Sequence, residues 1–307
     1  MAKYITERIG QTFIVLVFVT LVTFILINIA PGDPVQIMLN KKADPETVER
    51  VREELGLNQS YSRQYMALLK GIFTGDLGNS YFQHESVMGI VIRGLKITLR
   101  LGALALFLAA FIGIVNGTMA AVFRGTWLDR FLMFLAMIGT SAPVFWIAVI
   151  LQLFLGLHLR LLPISGQQAP GWMIMPVICL GVSHGASIAR LVRTNMIEEL
   201  SQDYVRTARS KGLSESFLVA KHVLKNAGIS IITLVGMQLR SLISGAMVVE
   251  TVFGLRGLGS VSYAAIMSRD IPLIQGCVAY TAITYVLINL IIDLVYGILD
   301  PRIRLAG

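Results

Sequence analysis

The sequence predicts an all-α polytopic membrane protein with six transmembrane helices. Composition is the first reason: 55% of the residues are hydrophobic and only 14% are charged, against about 25% charged in ordinary soluble domains. The second is a recurrence of apolar runs near the ~20 residues that cross a bilayer. They lie at Ile9–Ala30, Leu101–Phe123, Phe131–Leu153, Met173–Arg190, Ile229–Val249 and Leu273–Leu299. The third is that basic residues gather in alternate connections between those runs.

The first run is too long for a secretory h-region and lacks a small-residue cleavage site. It ends in Pro31-Gly32-Asp33-Pro34, so segment 1–31 reads as a retained N-terminal span. Residues 32–95 then form a large external excursion that reads as a small folded cap. Asp44-Pro45 suits an N-cap followed by proline at N1, and Val48, Val51 and Leu55 share one helical face before Gly56 ends the run. Tyr65, Met66, Leu69, Ile72 and Phe73 fall close together on a second helix, and Gly75-Asp76-Leu77-Gly78-Asn79-Ser80 is a turn cluster. Residues 96–307 hold the remaining five spans, with a long charged loop at 197–226.

A net charge of +8 raises the question of nucleic acid, but the distribution excludes it as a partner. Lys3, Arg8, Arg124, Arg130, the 190–225 stretch, Arg302 and Arg304 all fall on one side if the N-terminus is cytoplasmic. The short opposite loops hold only Arg160, Arg256 and Arg269. The positive-inside rule therefore places both termini in the cytoplasm, with lipid as the surrounding solvent.

Small residues recur at helical spacing inside the spans, at Gly113, Gly117 and Ala121 and again at Gly181, Gly185 and Ala189. In lipid such stripes let helix backbones approach closely, so these glycines are helix-packing candidates. Gly181-Val182-Ser183-His184-Gly185 also matches the nucleophile elbow of serine hydrolases, which needs a sharp strand-to-helix turn. Here it lies in an apolar helix-length run, which leaves an intramembrane serine protease as a distant alternative. There is no phosphate-cradling G-x-x-x-x-G-K-[ST] motif, no HExxH, and no Cys/His spacing for a metal; Cys179 and Cys277 sit in separate spans. No catalytic residue, resident cofactor or metal is expected. Polar residues within the spans are few: Asn116, His184, Gln238, Arg240, Asn289 and Asp293. Such groups face the bundle interior or a wet path, which makes Gln238, Arg240 and Asn289 path candidates. An ion-coupled carrier would show acids near the midplane and repeated halves with broken helices, and neither is evident.

The segment Asp203–Asn226, DYVRTARSKGLSESFLVAKHVLKN, carries the most information. Asp203 to Lys211 form a helix with an anionic start and a cationic end, matched to the macrodipole. Gly212 stops it, and Ser214-Glu215 open a second helix that climbs through Val219, Val223 and Leu224. This segment resembles the cytoplasmic EAA loop of permease subunits in ATP-binding-cassette importers. Arg206, Thr207 and Ala208 occupy the naming positions, and Gly212 follows at the family spacing.

The resemblance covers the whole chain and points to the dipeptide/oligopeptide/nickel branch. It rests on Pro31–Pro34, Gly75–Ser80, Trp127–Arg130, Pro143–Trp146, Tyr204–Leu213 with His222 and Asn226, Val248–Phe253, Gly257–Gly259, Arg269-Asp270, Pro272 and Asp300–Arg304. Arg206 replaces the acidic residue of the general pattern, and Arg256 stands where many relatives have proline. The resemblance implies a type I ABC importer permease fold in a bacterial cytoplasmic membrane. It also implies a homologous second permease, two cytoplasmic ATP-binding subunits that hold ATP and Mg, and an external substrate-binding protein. Asp203, Arg206, Thr207, Ala208, Arg209, Lys211, Gly212 and Leu213 would couple to the ATPase. The implied cargo is a di- or oligopeptide, with nickel chelates or glutathione as alternatives.

The charge asymmetry is open to test by thiol labelling of single cysteines. Gln59→Cys should react with an impermeant reagent in intact cells, while His222→Cys and Arg302→Cys should not. Labelling of the tail from outside would overturn the topology.

Overall fold

The computed structural model describes residues 2–29, 35–36, 39, 44–54 and 56–299. Its helices are α1 (Ala2–Ile29), α2 (Pro45–Glu54), α3 (Tyr61–Thr74), α4 (Val87–Val122), α5 (Trp127–Ser141), α6 (Val144–Leu151), α7 (Ile174–Leu200), α8 (Asp203–Ser210), α9 (Glu215–Leu218), α10 (Leu224–Val252), α11 (Leu258–Ser268) and α12 (Ile271–Leu299). π-Helical turns at Gln152–His158 and Val219–Val223 prolong α6 and join α9 to α10. The expected features at Pro31–Pro34, Leu55 and Asp300–Arg304 lie outside the described residues.

Among the described residues, three helices are long and apolar enough to cross a membrane by themselves: α4, α7 and the Ile271–Ile292 part of α12. Two bent pairs bring the number to as many as five, against the six expected. The run Phe131–Leu153 is not one straight span, because α5 and α6 meet at 103°. Proline explains the break. Pro143 excludes the helical region for the residue before it, and Ala142 is extended at φ −72°, ψ 130°. The run expected at Ile229–Val249 begins further back, and the helix bends by 57° between Gly228 and Ser230. The apolar part of α1, Phe13–Ile29, is a shorter helix.

The chain divides into two compact units. One comprises Met1–Ile97 and Arg256–Leu290. In it, Asp44 caps α2 by accepting from the Thr47 amide at 3.0 Å and the Thr47 hydroxyl at 2.8 Å, bonds that hold its carboxyl below the usual range. Helix α3 lies against α1: the Phe24 ring meets Tyr65 at 5.5 Å, and the Tyr65 hydroxyl donates to the Val17 carbonyl at 3.0 Å. Its buried residues are Leu68, Gly71 and Ile72, whereas Met66 and Phe73 are exposed, so the face expected from sequence is rotated. Gly75 (φ +76°) caps α3 in the left-handed conformation. Beyond the Gly75–Ser80 turn, Val87, Ile90 and Val91 of α4 pack with Leu258, Ala265, Leu273 and Cys277.

The other unit comprises Thr98–Leu255 and the chain from Ile291 on. Its core gathers residues of α4, α7, α8, α9 and α10, and α4 and α7 cross closely within it. A Cβ at Gly113 would collide with Ile188, and one at Gly117 would lie 2.6 Å from the Ala189 carbonyl and 2.7 Å from Val192. From the other helix, a Cβ at Gly181 would lie 2.7 Å from Leu108, and one at Gly185 would lie 3.1 Å from the Ala109 carbonyl. Thus all four packing glycines sit at one helix pair. Helix α5 approaches α7 through Gly139, where a Cβ would lie 2.8 Å from that of Ala186.

Gly117→Val should lower stability by about 1–3 kcal/mol through overpacking, because the obstruction includes backbone that cannot rotate away. Gly102→Ala, with open space around its Cβ position, should leave the unfolding midpoint in detergent unchanged or slightly raised. Equal midpoints for Gly117→Val and the parent protein would show that the crossing tolerates separation.

Candidate functional site

Helix α7 continues ten residues beyond Arg190, where the apolar run ends, and leads directly into the charged loop. Its last turn holds α8: the Tyr204 hydroxyl donates to the Glu199 carboxylate at 2.9 Å. Burial above all, with that carboxylate adding to it, raises the hydroxyl above its ordinary range, so it remains a donor. Val205 points inward, fully buried with Ile188, Val192, Met196, Leu218, Val219 and Val223. This anchor is a residue that the sequence analysis did not single out.

The end of α8 is a Schellman motif. Leu213 donates to the Ala208 carbonyl (3.4 Å) and Gly212 to the Arg209 carbonyl (2.9 Å), with Gly212 at φ +78°. Ser214 then precedes α9 in an extended conformation. Arg209 spans the turn, donating from Nε to Glu215 Oε1 at 2.6 Å and from Nη2 to Oε2 at 3.3 Å. The loop therefore has two faces. Val205 and Leu218 bind it to the bundle, while Asp203, Arg206, Thr207, Arg209, Lys211, Gly212 and Leu213 are exposed and Ala208 is half-buried. Arg206 and Lys211 stand clear of the Arg209–Glu215 bridge, which leaves Arg209 serving the turn itself.

The polar residues within the spans divide between the two units. Gln238 on α10 accepts from His184 Nδ1 of α7 at 2.8 Å. Arg240 is half-buried two residues further along α10. Asn289 lies on α12 within the other unit, its Oδ1 buried without a hydrogen bond among the described residues. Ser183 and His184 sit in the middle of α7, so the G-x-S-x-G stretch has no strand-to-helix elbow. Among the described residues, no three His, Cys, Asp or Glu side chains cluster to hold a metal ion.

Three buried carboxylates among the described residues, which the sequence showed only as members of motifs, gain partners in the structure. Asp129, 4% exposed, accepts from Arg193 Nε at 2.7 Å and Nη2 at 2.8 Å, and from the Gly125 amide at 2.9 Å. Asp270 accepts from the Ser80 hydroxyl at 2.5 Å and also caps α12 through the Leu273 amide at 3.3 Å. Glu250 is fully buried and accepts from Thr98 at 2.5 Å. Each sits in or beside a motif noted above, but nothing local in sequence names its partner.

Residues 113–305 match the family described as binding-protein-dependent transport system inner membrane component, and residues 1–102 match its N-terminal counterpart. The chain belongs to this family. A putative peptide transport system permease protein of Brucella abortus (strain 2308) is 37% identical over 312 residues, with 99% of each chain covered. The dipeptide transport system permease protein DppB of Escherichia coli (strain K12) is 34% identical over 336 residues, again with 99% of each covered. The MetNI methionine ABC transporter in an inward-facing conformation shares the fold, with a TM-score of 0.60 at 20% identity over 69% of this chain and 97% of that one. The protein is thus an ABC importer permease, integral to the bacterial inner membrane, and the Asp203–Asn226 loop belongs to a transport component.

Nothing lies within 4 Å of a Cβ built at Gly212, so substitution there tests backbone conformation alone. Gly212→Val should strain the turn by about 1–3 kcal/mol and reduce uptake per ATP hydrolysed by the assembled transporter, while membrane insertion is retained. Gly212→Asn, which tolerates the left-handed region, should keep most of the uptake. Normal uptake by the valine variant would remove the loop from the mechanism.

Proposed function

We propose that this permease carries di- or oligopeptides across the bacterial inner membrane. It would do so with a homologous second permease, two cytoplasmic ATP-binding subunits and an external substrate-binding protein. The observation that carries the coupling role is the two-faced loop. Its apolar face is continuous with the core at α7, and its glycine-capped polar face is presented outward. A force applied to that face acts on the α4–α7 crossing instead of being lost in a flexible connection. Closure of the ATPase pair pushes α8, the spans rock from inward-facing to outward-facing, and hydrolysis resets them.

In this reading the chain has six spans, with α1 and the two bent pairs each crossing once, and both termini are cytoplasmic. Segment 1–31 is the first span, 32–95 the external cap, and 96–307 the core. The subunit is non-catalytic, and ATP and Mg bind only to its partners. Gln238, Arg240 and Asn289 are the path candidates, with His184 added through its bond to Gln238. The peptide cargo is supported by the names of relatives that are 34–38% identical over nearly the whole chain.

Vesicles containing the complete transporter and its receptor should accumulate labelled peptides only with ATP. Uptake of a nickel chelate or glutathione, with peptides failing even to compete, would overturn the cargo assignment and leave the permease reading intact.

A further inference from the structure

We propose that Asp129 and Arg193 are positioning residues for transport, whose ion pair makes α5 move with α7 when the Asp203–Asn226 loop is pushed. The inference rests on the coupling role proposed for that loop and not on which cargo is carried. The buried residues of α5 are Asp129, Ala136 and Gly139. They are seven and three residues apart, so they share one face of the helix. The large side chains of α5 lie elsewhere, and Phe131, Phe134, Leu135, Met137 and Ile138 are exposed. The buried face therefore holds two small residues and one carboxylate.

That face is attached to α7 at two points. Gly139 comes close to Ala186, and Asp129 accepts from Arg193 Nε at 2.7 Å and Nη2 at 2.8 Å. The points lie about 15 Å apart along α5 and about 10 Å apart along α7, at 1.5 Å per residue. The close approach at Gly139 alone would let α5 swivel, and the second point fixes its direction. The rest of the span cannot do this, because α6 turns away at 103°. A bidentate pair also fixes orientation where a single bond would not. Asp129 accepts from the Gly125 amide as well, at 2.9 Å, which brings the turn after α4 into the same joint. Arg193 stands about two turns before the end of α7 at Leu200. Its neighbours Val192 and Met196 belong to the buried cluster that includes Val205 of α8. A push on α8 thus reaches Arg193 through packed side chains, and the guanidinium passes the displacement to α5.

The test uses the complete transporter in vesicles, with uptake and ATP hydrolysis measured together. Asp129→Asn with Arg193→Gln removes the ion pair without leaving a buried unpaired charge. It should lower uptake per ATP hydrolysed at least about fivefold, the lower end of coupling between sites. Asp129→Cys with Arg193→Cys should do the same, and it serves if the amide pair does not assemble. Joining those two thiols with a short bifunctional methanethiosulfonate, verified by mass, should restore the parent ratio, while the reagent leaves the parent protein unchanged. A pair that only stabilises the fold would lower the amount of assembled transporter with the ratio unchanged, and that result overturns the proposal. So does a ratio that stays low after the thiols are joined. Gly212→Val is measured alongside. A lowered ratio there, with the parent ratio in the Asp129 and Arg193 variants, overturns this inference alone; normal ratios in all of them overturn the loop's coupling role with it.

Discussion

The close approach of α4 and α7 is the constraint on which the second unit depends. Lipid tails are as apolar as leucine, so helices in a bilayer are not driven together by exclusion from water. They adhere through dispersion contacts that grow as backbones near one another, and glycine removes the side chain that would hold them apart. Gly113 and Gly117 admit Ile188, Val192 and the Ala189 carbonyl, while Gly181 and Gly185 admit Leu108 and the Ala109 carbonyl. Reciprocity matters: each helix offers the gap that the other fills, which fixes both rotation and depth. Gly139 repeats the device between α5 and α7, so α7 is bordered by small residues on two sides.

The role of the loop follows from that anchorage. Helix α7 is continuous to Leu200, and the chain turns into α8 only three residues later. Val205 continues the same buried cluster past the end of α7. The Tyr204–Glu199 hydrogen bond and the Arg209–Glu215 bridge then determine how α8 stands. The exposed Arg209–Glu215 pair contributes little stability, on the order of 0–1 kcal/mol, and its effect is to hold geometry across a turn. Asp129 is different, because its buried carboxylate is satisfied by both Arg193 bonds and a backbone amide. A buried charge with one partner removed is costly, so this contact binds the start of α5 firmly to α7.

In the first unit Asp270 has a comparable place. It joins the Gly75–Ser80 turn to the start of α12 through Ser80, and the Tyr81 amide also donates to it at 3.3 Å. Burial pushes the Tyr81 hydroxyl up to about 12, with the Asp270 charge adding to the effect. The turn glycines and Arg269-Asp270 were both visible as motifs, far apart in the chain. Their meeting was not.

What the sequence determined by itself is what depends on neighbours in the chain. Helical class, the positions of the apolar runs, the glycine stripes, the Asp44 cap and the left-handed Gly212 all follow from local composition and backbone chemistry. The 103° break was also local, since Pro143 stood within the run expected to be straight. Only the tertiary structure decided which face of each helix is covered. It also decided that Asp129 meets Arg193 across 64 residues and Ser80 meets Asp270 across 190. The physical reason lies in the solvent. In water, apolar periodicity marks the buried face of a helix, as it partly did for α3. In a bilayer the packed and the lipid-facing sides are both apolar, so hydropathy announces a span without saying what it touches. That choice is made by shape and by the few polar groups that need a partner.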